Sequence, residues 1–279
     1  MSGGLTSEQV SLLAKSLPGY RIVADHSWGL IGTTVLEVAA ADRRYIVKAG
    51  DGADIHIARE TRAHLEWMAP FGQGEVSHLV YGEPSEKLLI LEYLPGELVQ
   101  GSGVEREPWV YESAGALLAR FHGQRSVHDD EYPTRLLDRA ERWLAAPQST
   151  PHALREAAAH ALAAVASNIP TLLVPTHGDY SPRNWLVHDG QVSVIDFGRA
   201  DLRPAMADLV RLSARCFPER PELENAFMAG YGSDPRELAA WQAITLCEAI
   251  GTIGWAHMVG DSGFEAEGLR ELERALSMS

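Results

Sequence analysis

A carboxylate and an amide with the chemistry of hard-metal ligands lie within residues 177–198, which read HGDYSPRNWLVHDGQVSVIDFG. Asn184 and Asp196 enclose two short apolar runs that are separated by Asp189-Gly190. Asp-Gly between apolar runs is a strong β-hairpin signal, because both residues of the turn need positive φ. Amide and carboxylate oxygens are ligands that Mg²⁺ prefers. The segment therefore predicts a metal-binding pair presented by a hairpin.

The predicted hairpin fixes how this pair is positioned. A two-residue turn pairs His188 with Gln191, so that Asn184 lies opposite Ile195 at the open end. Directly opposed residues have Cβ atoms about 5 Å apart. We therefore expect Asn184 and Asp196 to lie side by side and to share one cation.

The elements around the hairpin divide the chain in two. Residues 20–93 favour strands at 21–24, 35–39, 45–49 and 88–93. A helix is predicted over 54–69, with an apolar face formed by Ile57, Thr61, Leu65 and Met68. Leu94-Pro95-Gly96 ends the last strand, so we place a boundary there, between an N-terminal part, 1–94, and a C-terminal part, 95–279. The C-terminal part favours helices at 109–122, 152–168, 204–216, 222–231, 236–257 and 265–276.

Composition limits the classes of partner. The 279 residues carry 24 Lys and Arg against 38 Asp and Glu, a net charge of −14. Binding of nucleic acid through a basic surface is not expected, because phosphate contacts need clustered cations. An acidic protein suits a cationic partner, although acidity also simply keeps proteins in solution.

The cysteine count and the hydropathy bear on location. Cys216 and Cys247 are the two cysteines, which form no disulfide framework or zinc pattern. The first residues lack the features of a signal peptide, and no window has the apolar length of a membrane span. We expect a cytoplasmic protein without a membrane partner.

The same segment resembles a protein-kinase catalytic loop. His177-Gly178-Asp179, Asn184 five residues later and Asp196-Phe197-Gly198 match the loop and the metal-binding DFG segment in type and order. His-Gly-Asp in place of His-Arg-Asp resembles the aminoglycoside phosphotransferase and choline kinase group of small-molecule kinases. The resemblance implies a bilobal, protein-kinase-like α+β fold with a small β-rich N-terminal lobe and a larger helical C-terminal lobe.

The resemblance also implies roles for individual residues. Asp179 would accept the proton of the attacking hydroxyl, and Asn184 and Asp196 would hold Mg²⁺. Lys48 lies on the apolar run Tyr45-Ile46-Val47-Lys48 and would bind the phosphates, with Glu60 as its ion partner and Glu66 as the alternative. An edge strand that exposes Lys48 to solvent is the competing interpretation.

Two further segments would bind the nucleotide. The loop around Ser27, Gly29 and Gly32 would cover the phosphates, although it lacks the full glycine pattern and could be a plain hairpin turn. Main-chain groups of Glu92 and Leu94 would read the base, with an ordinary strand-to-helix connection as the alternative. ATP is the expected nucleotide, and GTP is not excluded because the hinge sequence does not decide the base.

Two polar residues beside the catalytic loop leave alternatives open. Arg183 could contact the γ-phosphate or pair with Asp201 or another surface acid. His177 is interpreted as a structural member of the loop. A zinc site formed by His177, Asp179 and His188 is disfavoured, because the spacing matches no zinc pattern.

The acceptor is predicted from net charge and resemblance together. Acids of the helical part would attract a polycation such as an aminoglycoside or a basic cyclic peptide antibiotic of the capreomycin or viomycin type; they include Asp201, Glu248, Asp261 and Glu265. Phosphorylation of such an antibiotic would give resistance. The alternatives are a metabolic kinase for choline, homoserine or a sugar, and a nucleotide-binding pseudokinase or regulatory module.

Overall fold

Five antiparallel strands near the N-terminus form a sheet with the order β1-β2-β3-β5-β4 in a computed structural model that describes residues 4–27, 32–218 and 220–278. Two-residue connections and alternating apolar residues produce the β2–β3 hairpin, where Ala40 pairs with Arg43. The strands are β1 Arg21–Asp25, β2 Thr34–Ala40, β3 Arg43–Ala49, β4 Leu79–Glu83 and β5 Leu88–Glu92.

The two faces of this sheet have different tasks. Successive side chains point to opposite faces, so Val47 is buried in an apolar core while its neighbour Lys48 faces the other way. Helix α1, Ser7–Ser16, contributes Leu13 to that core and begins with a capping box between Thr6 and Gln9. The opposite face is left for the polar groups of the site.

Helix α2, His56–Glu66, is shorter than the predicted 54–69, and the prediction of its buried face was wrong in part. Ile57 and Thr61 are buried, but 70% of Leu65 is exposed. The buried face continues through Glu60 and His64 instead. Burial of these polar residues is stabilised by contacts with other segments, which helical periodicity cannot show.

The sheet and α2 belong to the first of two compact units. This unit comprises the chain up to Gln124 together with His177–Asp201 and Glu222–Gly232. Its other elements are β6 Glu97–Leu98, α3 Pro108–Gly123, β9 Trp185–His188, β10 Gln191–Val194 and most of α7 Pro221–Tyr231. Strands β10, β9 and β6 form a small sheet.

The second unit comprises Arg125–Thr176, Leu202–Pro221 and Ser233–Ser279. Its core packs α4, α5, α8 and α9 through residues such as Leu136, Leu162, Ile250 and Leu272. The helices are α4 Tyr132–Ala145, α5 His152–Val165, α6 Val210–Arg215, α8 Leu238–Val259 and α9 Ser262–Ser277, and the short strands are β7 Val127–His128, β8 Leu172–Thr176 and β11 Asp201–Arg203.

These units follow the distribution of contacts along the chain. The predicted boundary cuts the chain once, between 1–94 and 95–279, whereas each of these units combines several separate segments. The predicted boundary stays a prediction. None of the helices in the described ranges combines the length and the apolarity needed to cross a membrane.

Candidate active site

Lys48 is the centre of a buried ion cluster. Its Nζ donates to both carboxylate oxygens of Glu60, at 2.9 Å to Oε1 and 2.8 Å to Oε2, and to Asp196 Oδ1 at 2.8 Å. Strand β3 supplies the lysine, α2 supplies Glu60, and the segment after β10 supplies Asp196. The lysine is therefore not at a solvent-exposed edge, and Glu66, the alternative partner, is exposed.

The charges of this cluster stabilise one another. Burial opposes a charged lysine, but Asp196 and Glu60 outweigh it and hold the pKa of Lys48 well above its ordinary value. Partial burial likewise opposes ionisation of the half-exposed Asp196, but Lys48 outweighs it and lowers the pKa of that carboxyl. The cluster therefore presents a fixed cation and a carboxylate that stays ionised at neutral pH.

The hairpin has the register that the sequence predicts. Gln191 pairs with His188, both turn residues Asp189 and Gly190 have positive φ, and Ile195 N–H donates to Asn184 O at 3.0 Å. Asp196 follows immediately, with a φ of 68°. Asn184 and Asp196 thus end the two arms of one hairpin.

Asn184 also holds the loop that carries Asp179. Asn184 ends a 3₁₀ turn, Pro182–Asn184, and its buried side-chain amide lies against the preceding loop. Asn184 Nδ2 donates to Asp179 O at 2.8 Å. His177 accepts from the Asp179 N–H at Nδ1, at 3.2 Å, so its other nitrogen, 3.0 Å from Ile195 O, is the donor there. These contacts agree with a structural role for His177 and fix the 2%-exposed Asp179 beside the hairpin.

Arg183 pairs with the catalytic-loop aspartate. Its Nη2 contacts Asp179 Oδ2, four residues earlier. Asp201, the surface acid considered as its partner, instead accepts from Arg62 Nη2 at 3.0 Å. Arg183 also lowers the pKa of Asp196, after the larger effect of Lys48, so its charge acts on both carboxylates.

The residues present fit a magnesium ion. Because Asn184 uses its Nδ2 as a donor to Asp179 O, its side-chain oxygen is left as an acceptor, and the half-exposed Asp196 adds an ionised carboxylate. Oxygen donors of this kind suit Mg²⁺. The described residues contain no cluster of three or more His, Cys, Asp or Glu side chains that could hold a metal ion. The fit to Mg²⁺ therefore rests on the pair of Asn184 and Asp196.

A cavity of about 320 Å³ extends from this cluster within the first unit. Apolar side chains line most of it, and Lys48, Glu60 and Asp196 are among its charged lining residues. The apolar side chains come from β2, β3, β5 and the hairpin, and include Val35, Ile46, Leu91, Leu186, Val194 and Ile195. An apolar slot that ends in a cation suits a flat base joined to phosphates.

The predicted phosphate-covering loop is described only in part. Ser27 Oγ accepts from Val35 N–H at 3.0 Å, which closes the strand end. A Cβ atom on Gly32 would lie 2.0 Å from Asp51 Oδ2, so the exposed Asp51 side chain would have to move to accept one. Gly29 lies outside the described residues. The role of these three residues toward phosphate stays a prediction.

The predicted hinge follows β5. Leu94 and the neighbouring Tyr93 line the cavity, whereas Glu92 is not among its lining residues. Glu92 N–H donates to His78 O at 2.9 Å, and its side chain accepts from Arg43. Of the two predicted base-reading residues, the geometry favours Leu94.

The acids predicted to bind the acceptor all have partners. Asp201 pairs with Arg62, and Glu248 pairs with Arg139 at 3.2 Å. Asp261 caps α9 by accepting from Phe264 N–H. The 8%-exposed Glu265 accepts from Ser149 N–H and from His257. The role of these four residues toward an acceptor stays a prediction.

Sequence reasoning missed several polar residues of the cavity, among them His64 and Glu37. His64 is 9% exposed, its Nδ1 has no hydrogen-bond partner among the described residues, and its ring meets Phe197 edge to face. Burial lowers the pKa of His64 to about 3, so it is neutral at physiological pH. Glu37, on β2, is also buried. The signal available for His64 was its position four residues after the predicted site residue Glu60, on the same helix.

The phosphotransferase enzyme family APH matches residues 24–241, which is most of the chain. This chain belongs to the APH phosphotransferase family. The match spans the β3 lysine, the His-Gly-Asp loop and the Asp-Phe-Gly segment. A comparison with curated proteins finds no match.

Solved structures of APH proteins share the fold along nearly the whole chain. A thermostable mutant of aminoglycoside phosphotransferase APH(4)-Ia, in a ternary complex with ADP and hygromycin B, has a TM-score of 0.74 at 14% identity, over 98% of this chain and 99% of that one. The gentamicin–APH(2")-IIa complex has 0.68 at 17%, over 97% and 96%. The macrolide 2'-phosphotransferase MphH from Brachybacterium faecium has 0.66 at 20%, over 96% and 98%.

These likenesses confirm the expected protein-kinase-like α+β fold. They also confirm the resemblance to aminoglycoside phosphotransferases that the loop motif indicated. As an APH phosphotransferase, the chain transfers a phosphoryl group.

Proposed function

We propose that this APH phosphotransferase transfers the γ-phosphoryl group of ATP to a hydroxyl of a small-molecule antibiotic, with Mg²⁺, and thereby inactivates the antibiotic. The observation that carries the proposal is a largely apolar cavity whose lining includes the ion cluster of Lys48, Glu60 and Asp196. Phosphoryl transfer requires mainly positioning and charge stabilisation, which such a cluster supplies.

The residues of the site divide the work. The base would lie in the apolar slot, with Leu94 at its edge, and Lys48 would bind phosphate oxygens in place of its present contact with Asp196. Asn184 and Asp196 would hold Mg²⁺, which would offset the negative charge of the phosphates when bound. Arg183 is placed to offset further charge at the transferred group.

Asp179 would act on the acceptor. Its carboxylate orients the acceptor hydroxyl and takes the proton from the hydroxyl oxygen as that oxygen bonds to phosphorus. The loop contacts from His177 and Asn184 hold Asp179 in place during this step. Its buried position limits competition from water.

The acceptor class rests on the relatives and on charge. Relatives of the same fold were solved with hygromycin B and gentamicin, and one is a macrolide 2'-phosphotransferase. The net charge of −14 favours a cationic acceptor, an aminoglycoside or a basic cyclic peptide. A cytoplasmic location, expected from the two cysteines, stays a prediction.

A coupled ADP-release assay tests the proposal. Purified protein with saturating ATP and Mg²⁺ is offered aminoglycosides, macrolides, basic cyclic peptides, choline, homoserine and sugars, and each product is weighed by mass spectrometry. We expect ADP release above the acceptor-free rate with an antibiotic, together with a product heavier by one phosphoryl group. Turnover restricted to choline, homoserine or a sugar would overturn the antibiotic assignment.

A further inference from the structure

A second ion pair, formed by Glu37 and Arg44, lies beside the cavity and away from Lys48 along the strands. In the β2–β3 ladder Val35 pairs with Lys48, and two residues further along Glu37 pairs with Ile46. Two residues along a strand span about 7 Å. Glu37 therefore lies on the cavity face, displaced from the phosphate end toward Tyr93, and both Glu37 and Tyr93 line the cavity.

Glu37 fixes the side chain of Arg44. The carboxylate is 4% exposed, and its Oε1 accepts from Arg44 Nε at 2.7 Å and contacts Arg44 Nη2. Nε2 of the half-exposed His26 is 3.5 Å from the other oxygen. A buried carboxylate without its cation is strongly unfavourable, so the guanidinium is held in one orientation.

Arg44 in turn holds Tyr93 by two different groups. The guanidinium carbon lies 3.9 Å from the centroid of the Tyr93 ring, within the range of a cation–π contact. The main-chain O of Arg44 accepts from Tyr93 N–H at 3.2 Å. Tyr93 is thus fixed through its ring and its backbone, directly before Leu94.

We propose that Arg44 is a positioning residue for the nucleoside: through Glu37 on one side and Tyr93 on the other, it fixes the main chain at Leu94 against the base. The inference rests on the proposed function in placing a nucleotide in this cavity. We therefore expect substitution of Arg44 to weaken binding of the nucleoside part of the nucleotide. Binding of the phosphates, which depends on Lys48, should not change.

The neighbouring arginine provides a matched control. Arg43 also starts β3 and also pairs with a glutamate, since its Nη2 donates to Glu92 Oε1 at 2.9 Å. Its side chain is 67% exposed, and it does not line the cavity. If Arg44→Ala changes binding and Arg43→Ala does not, the change comes from the contact of Arg44 with Tyr93 and not from the loss of a positive charge in general.

Calorimetric titration with three probes measures the proposal: adenosine, MgATP and magnesium triphosphate. We expect Arg44→Ala to weaken binding of adenosine and ATP about two- to fivefold, the order that a cation–π contact of a half-exposed arginine contributes, and to leave binding of triphosphate unchanged. Arg44→Lys should not restore binding, because an ammonium lacks the planar fork that contacts both Glu37 and Tyr93. Lys48→Ala should show the reverse pattern, losing triphosphate and keeping adenosine.

Other results would contradict either the role of Arg44 or the proposed function. The role of Arg44 in holding Tyr93 is overturned if Arg44→Ala binds all three probes as Arg43→Ala does. It is also overturned if Arg44→Ala loses adenosine and triphosphate binding equally. If Arg44→Ala does not fold, Tyr93→Leu against Tyr93→Phe decides, because phenylalanine keeps the ring face: equal adenosine affinity overturns this role of Arg44. If Lys48→Ala leaves ATP and triphosphate unchanged, the proposed function fails, whatever Arg44 does.

Discussion

Lys48 Nζ lies 2.8 Å from Asp196 Oδ1, although 148 residues separate the two in the sequence. The same ammonium also contacts Glu60, so one cation offsets two carboxylates. Burial raises the pKa of Glu60, whereas Lys48 lowers the pKa of Asp196, so Asp196 is the carboxylate that stays ionised for an arriving cation. Asp196, which is expected to bind metal, is paired with Lys48 in this structure.

Removal of Lys48 should damage the use of nucleotide. Lys48→Ala leaves the 1%-exposed Glu60 without a cation, and it removes the proposed phosphate ligand. We expect a KM for ATP at least tenfold higher and a lower kcat, measured by initial rates over an ATP series. Lys15→Ala, at an exposed position of α1, is the matched control and should leave both constants unchanged. Wild-type ATP kinetics in Lys48→Ala would remove the lysine from the site.

Asn184 and Asp196 should behave as one unit. Both are proposed to hold the same Mg²⁺ at the end of one hairpin, so either alanine variant should lose most activity and the double variant little more. The measurement is a double-mutant cycle in kcat at several Mg²⁺ concentrations. Multiplying, independent losses would contradict a shared ion.

The hairpin could be predicted from sequence because its cause is local. Asp189 and Gly190 both adopt the positive φ that the dipeptide favours, and the register follows from a two-residue turn. Helix α1 was equally readable, from the capping box between Thr6 and Gln9, but was not predicted. Helix α4 was also missed, although Leu136, Ala140 and Leu144 recur at intervals of four residues.

Contacts between distant segments were beyond the sequence patterns. The apolar period of α2 favoured Leu65 as buried, but Lys48 makes burial of Glu60 favourable. The partners of the predicted acceptor acids are equally distant, since Glu265 accepts from Ser149, 116 residues away. Net charge reports how many acids exist, whereas their partners decide which remain available.

Glu265 should make the second unit sensitive to acid. Burial raises the pKa of Glu265, but hydrogen bonds from Ser149 and His257 outweigh it and leave the pKa below its ordinary value. A lowered pKa contributes stability above the unfolded-state value, about 4.3, and this stability is lost as pH falls below it. We expect Glu265→Gln to lower the free energy of unfolding by about 1–2 kcal/mol at pH 7.

Thermal melts between pH 7 and pH 3.5 test this prediction. The difference in Tm between wild type and Glu265→Gln should shrink as the pH falls. Glu273→Gln, exposed on the same helix α9, is the control and should follow the wild type throughout. A difference that stays constant across this range would mean that the Glu265 charge does not contribute.

A cationic acceptor should respond to salt. Attraction between an acidic protein and a polycation is screened over about 8 Å at physiological ionic strength. We expect kcat/KM for the best antibiotic to fall as salt rises at fixed free Mg²⁺ and saturating ATP, while kcat changes less. A kcat/KM that does not change with salt would leave the net charge of −14 without a role in acceptor binding.

The central claim is that Asp179 directs phosphoryl transfer from ATP to an antibiotic hydroxyl. The most direct measurement compares wild type with Asp179→Asn for formation of phosphorylated antibiotic, by mass spectrometry, alongside calorimetric ATP binding. We expect a product heavier by one phosphoryl group with the wild type, and a rate about 10²–10⁴ lower with the variant at unchanged ATP affinity. An Asp179→Asn rate within a few-fold of the wild-type rate, or no phosphorylated antibiotic with the wild type, would contradict it.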